Sequence, residues 1–86
     1  KLHGSIIAGE FDPSLNEFSL QAFKHFETES TLRHSQLNSL YNYLSQHKQD
    51  EDGLVLTLYD QMPVRLSQEE IMNLLQDLEE LKSYYE

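Results

Sequence analysis

Four histidines, His3, His25, His34 and His47, are the residues of this sequence best suited to hold a transition metal, because neutral imidazole is the commonest ligand for such ions. The closest useful pairing is His25 with Glu29, four residues apart and so on one side of the chain if that stretch is helical. Two ligands do not make a site. A zinc centre takes three or four converging groups, and the chain has no HExxH pattern, no clustered histidine spacing and no cysteine. Surface placement accounts for the histidines, and no metal is expected.

The run Asp50, Glu51, Asp52, Gly53 places carboxylates before a glycine turn, as hard cations require. An EF-hand, however, alternates its ligands over twelve residues and closes with a bidentate Glu at the twelfth. The twelfth residue from Asp50 is Gln61, so a solvated loop ending a helix is the better account. No serine lies in G-x-S-x-G, and Ser35 beside His34 is adjacency only, with no carboxylate behind it. Glycine occurs only at 4, 9 and 53, which excludes a glycine-rich phosphate loop. Neighbouring carboxylates such as Glu69 with Glu70, or Glu79 with Glu80, diverge by about 100° around a helix, which argues against joint acid/base work. The expectation is a protein without a catalytic residue, a cofactor or a bound metal.

The elements that would position any surface are organised around the last 21 residues before Glu86. Ser67 reads as a helix N-cap, and Glu70 three residues on completes a capping box, each side chain taking a backbone N–H of the other's turn. Leu66 and Ile71 flank the cap as a hydrophobic staple. Beyond it Ile71, Leu74, Leu78, Leu81 and Tyr85 step by three and four residues and define one apolar side, widened by Met72, Leu75 and Tyr84. A helix over 67–85 follows.

Upstream, Ile6, Ile7 and Ala8 between Gly4 and Gly9 suggest a short strand over 5–8, and Asp12-Pro13-Ser14 marks a turn. From Leu15 to Glu29, Leu15, Phe18, Ala22 and Phe26 follow helical spacing, while 18, 20, 22 and 26 fit a strand's alternation with Phe23 as the misfit. Length and the helix formers Gln21, Ala22, Lys24 and Glu27 favour a helix. Leu37, Leu40, Tyr41 and Leu44 define another over 32–48, closed by Gln49 to Gly53. Leu54 to Tyr59 alternates as a strand, and Met62, Val64, Leu66 alternate again, with Pro63 confining that strand to an edge. The expected fold is therefore α+β: three helices near 16–29, 32–48 and 67–85, and a two- or three-stranded antiparallel sheet from 54–59, 62–66 and 5–8.

With 86 residues, no repeat and no linker, residues 1–86 read as one small domain, and the absence of an initiator Met fits a piece of something longer. Fifteen leucines and 38% apolar residues suit helical packing and argue against disorder. No apolar run approaches a membrane span, so a soluble, cytoplasmic protein is expected. The net charge is −9, and it is unevenly spread. Residues 1–49 hold four basic and five acidic residues, residues 50–86 two and ten, or −1 against −8. Such a surface repels phosphates, which disfavours direct nucleic-acid binding.

The reading that results is a small acidic, non-enzymatic regulatory module that binds a basic protein through its C-terminal half, with Glu69, Asp77, Glu79 and Glu80 as the partner-binding residues. Two alternatives share the composition. One is an acidic mimic of nucleic acid that inhibits a DNA- or RNA-binding protein, which would need carboxylates spaced regularly across the surface. The other is a structural subunit whose apolar stripe is covered by a second copy, as a homodimer, or by a larger chain.

Overall fold

A computed structural model describes residues 1–58 and 62–86. Strands β1 (Leu2–His3), β2 (Ile7–Asp12), β3 (Glu17–Phe23) and β4 (Phe26–Arg33) form an antiparallel sheet in chain order, and α1 (His34–His47) follows β4 directly. Strands β5 (Leu54–Leu58) and β6 (Met62–Leu66) pair antiparallel as a separate sheet, and α2 (Gln68–Lys82) follows β6. The fold is α+β, but among the described residues it has two helices and a four-stranded sheet beside a two-stranded one. The expected three helices with a single small sheet are overturned.

The missing helix is the stretch 16–29, which forms β3, a turn at Lys24-His25 and half of β4. Along β3, Phe18 and Leu20 are buried while Ser19 and Gln21 are exposed, the alternation of a strand with one covered face. Phe23 broke that alternation in the sequence because the register with β4 shifts between Leu20 and Ala22. One extra residue there returns Phe23 to the covered face, where it is 1% exposed. Leu15, which supported the helical spacing, sits in the β2–β3 turn and is 64% exposed. That turn is fixed by Asp12, whose carboxylate accepts both the backbone N–H and the hydroxyl of Ser14 at 3.0 and 2.6 Å. These bonds to the charged form hold the Asp12 carboxyl below its ordinary range.

The apolar run at the N-terminus is likewise displaced: Ile6 lies in the β1–β2 turn, and the strand runs from Ile7 on to Asp12. The later elements follow the sequence more closely, although Leu32 and Arg33, expected to open the helix over 32–48, end β4, and the helix expected over 67–85 stops at Lys82. The β5–β6 hairpin pairs Leu54 with Leu66 and Thr57 with Pro63, and the Asp60-Gln61 turn expected to join its strands lies outside the described residues. Gly53 before it adopts φ +76°, and any Cβ there would strike the Leu66 carbonyl. At α2 the capping box is complete: Glu70 N–H donates to Ser67 Oγ at 3.1 Å, and Ser67 N–H donates to Glu70 Oε1 at 2.9 Å. Leu66 and Ile71 are both fully buried beside it.

Sheet and helices share one core. The covered face of the sheet supplies Leu2, Ile7, Phe18, Leu20 and Phe23, α1 supplies Leu37 and Leu44, and β6 supplies Val64 and Leu66. The apolar side of α2, Ile71, Leu74, Leu78, Leu81 and Tyr85, is buried among them. Tyr85 is anchored further by its hydroxyl, which donates to the Leu32 carbonyl at 2.6 Å, and burial pushes its pKa up to about 12. No helix among the described residues is long and apolar enough to cross a membrane.

Candidate interaction surface

Of the four acidic residues expected to face a partner, Asp77 does not. It is 7% exposed, and its carboxylate accepts three backbone N–H groups: Ser5 at 3.0 Å on Oδ1, and Ile6 at 2.7 Å and Ile7 at 3.1 Å on Oδ2. Ser5 and Ile6 lie in the β1–β2 turn and Ile7 begins β2, and their three successive N–H groups converge into an anion-binding concavity. Asp77 therefore fastens the N-terminal hairpin to the middle of α2. Gly4 makes room for it, since a Cβ at that position would collide with the Asp77 carboxyl carbon and both oxygens. The placement was legible in one respect: Asp77 lies three residues after Leu74 and four before Leu81, on the flank of the buried stripe. Counting charge alone hid it.

The remaining three, Glu69, Glu79 and Glu80, are exposed on α2. With 3.6 residues per turn, Glu69, Met72, Gln76, Glu79, Glu80 and Ser83 fall within a sector of about 100° on the side away from the core. Met72 is 50% exposed and lies in that sector between Glu79 and Glu69. Lys82, the basic residue in the last turn, leaves it: its Nζ lies 5.9 Å from the ring centre of Tyr41 on α1, a cation–π placement. No described residue forms an ion pair with Glu69, Glu79 or Glu80.

Glu70, one residue past Glu69, is used differently. Besides capping α2 it pairs with Lys24 at 3.0 Å, and Lys24 also donates to the Arg65 carbonyl at 2.8 Å. The bond from the Ser67 backbone, followed by Lys24, holds the Glu70 carboxyl below its ordinary value of 4.5. Lys24 itself sits at φ +56°, a conformation that disfavours side chains, and its two contacts tie the β3–β4 turn to the start of α2.

The five acidic residues of the first half, Glu10, Asp12, Glu17, Glu27 and Glu29, lie along the uncovered face of the four-stranded sheet, a concentration that the helical reading of 16–29 concealed. They fall into two groups. Asp12, Glu17 and Arg33 are aligned across β2, β3 and β4, with Glu10 next to them, and Arg33 meets Glu17 at 2.9 Å. Glu27 and Glu29 lie toward the other end of β4, near the Lys24-His25 turn, and Ser19, Gln21 and Thr31 separate the groups.

The histidines are dispersed. His3 is on β1, His25 stands in the β3–β4 turn against Phe26, His34 stacks on Tyr85 with ring centres 5.1 Å apart, and His47 meets Asp50 at 2.7 Å. His25 and Glu29 do not share a helix face, because one is in a turn and the other on a strand. Among the described residues no group of three or more His, Asp or Glu side chains could hold a metal ion. Comparison with family models, with curated proteins and with solved structures finds no match to this chain.

Proposed function

We propose that the chain is a small non-enzymatic, cytoplasmic regulatory module that docks a basic protein surface through its C-terminal half. The docking surface is the outer sector of α2, with Glu69, Glu79 and Glu80 meeting Lys or Arg and Met72 as the apolar anchor between them. Met72 is the observation that carries this reading. A half-exposed methionine among unpaired carboxylates gives the face an apolar contact beside its charge, and methionine is enriched at protein interfaces. Among the described residues none forms an ion pair with the three glutamates, which leaves their charge available to a partner. Grouping of the sheet carboxylates into two patches favours local docking over mimicry of a phosphate backbone, which requires an even array.

The test uses the chain as bait in an affinity capture from its source cell, beside a Glu69→Lys, Glu79→Lys, Glu80→Lys variant. The reading predicts a basic protein that the parent retains, that elutes as salt rises, and that the variant loses. Equal retention by both baits, with the same salt dependence, overturns it.

A further inference from the structure

Strand β4 differs from its neighbours in the sheet. The inward residues Ile7 on β2 and Phe18, Leu20 and Phe23 on β3 are buried, whereas Phe26, Ser30 and Leu32 on β4 are only half-buried. β4 pairs with β3 on one side, and among the described residues no strand pairs with it on the other. Beside it, between β4 and α1, lies a cleft of ≈ 200 Å³ walled by Leu20, Phe23, Leu32, Gln36, Leu40 and Leu78. This is smaller than the roughly 300 Å³ at which small-molecule sites begin, so it suits one or two inserted side chains better than a whole ligand. On the opposite face of the same strand Glu27 and Glu29 are exposed.

An extended segment laid along a sheet edge presents alternate side chains to the two faces of that sheet. Here one face offers an apolar cleft and the other two carboxylates. We propose that the β4 edge accepts an added strand from a partner, a peptide in which apolar and basic residues alternate. The apolar side chains enter the cleft between β4 and α1, and the basic ones lie beside Glu27 and Glu29. A second copy of this chain is the poorer occupant, since each copy carries a net charge of −9 and brings its own acidic sheet face. The site is separate from the α2 surface, and each stands without the other.

The test titrates the 86-residue chain with two labelled octapeptides of one composition, lysine and valine, in strict alternation or as two blocks. Fluorescence anisotropy gives affinity, and ¹⁵N amide shifts give location. The alternating peptide is expected to bind at least about tenfold more tightly than the block isomer and to shift the amides of Glu29, Leu32 and Leu40. The Glu27→Lys, Glu29→Lys variant, altered only at exposed positions, should lose at least about tenfold in affinity for the alternating peptide while keeping its remaining amide spectrum. Equal binding of the two peptides, or shifts confined to α2 around Glu79 and Glu80, would show attraction by charge alone and overturn the proposal. Shifts along β4 that grow with protein concentration in the absence of peptide would overturn it in favour of self-pairing.

Discussion

Asp77 and the Glu79-Glu80 pair lie two and three residues apart on one helix and do opposite work. Asp77 faces inward at a point where a turn delivers three backbone N–H groups, so its charge is absorbed by the fold. Glu79 and Glu80 are exposed in the last turn of α2, where a carboxylate opposes the helix dipole, and among the described residues neither forms an ion pair. Charge contributes to architecture where backbone N–H groups meet it, and stays at the surface where they do not. The −8 of residues 50–86 is therefore two populations, and only one belongs to a surface.

The contrast can be broken most severely at Asp77. Asp77→Ala leaves three buried or half-buried N–H groups without a partner, and its stability should fall by about 3 kcal/mol or more. A denaturant midpoint close to that of the parent would mean that the β1–β2 turn is not fastened there.

A smaller effect is expected where the same helix ends. Tyr85→Phe removes the hydroxyl bond to the Leu32 carbonyl and should cost about 1 kcal/mol near neutral pH. Tyr85 carries a pH signature as well. Its pKa is about 12 in the fold against 10 unfolded, so between those values the unfolded chain releases a proton that the folded chain keeps. Stability contributed by the neutral hydroxyl is full below pH 10 and is lost as pH rises toward 12. Tyr85→Phe should flatten that decline in an alkaline denaturation series, and an unchanged slope would contradict the placement.

The smallest effect has the opposite sign. Glu79→Lys with Glu80→Lys replaces two acids at a helix C-terminus by bases, so stability should rise by roughly 0.5 kcal/mol while binding of a basic partner weakens. A loss of stability as large as that of Asp77→Ala would place these glutamates in the architecture and remove the distinction.

How legible each part was in the sequence follows from the range of the forces that decide it. The cap at Ser67 and Glu70, the staple and the buried stripe depend on residues within one or two turns of each other, and the start and buried side of α2 were readable for that reason. The stretch 16–29 was not, because its structure rests on pairing with β2 and on one bulge. The bulge moves Phe23 across the sheet and erases the clean alternation by which a strand is recognised. The same error hid the acidic sheet face and the position of β4, beyond which no strand pairs among the described residues. Asp77 needed knowledge of a turn more than 70 residues away in sequence.

The most direct test of the division within α2 is a double-mutant cycle on Gly4 and Asp77, read by chemical denaturation. Gly4→Ala should destabilise the parent because the new methyl group meets the Asp77 carboxylate, and φ at Gly4 imposes no strain of its own. With Asp77→Ala already in place that obstacle is gone. The two losses should then fail to add by about 1 kcal/mol or more, the double variant being more stable than their sum predicts. Additive losses would show that Gly4 and Asp77 do not meet, and Asp77 would return to the exposed acids of the helix.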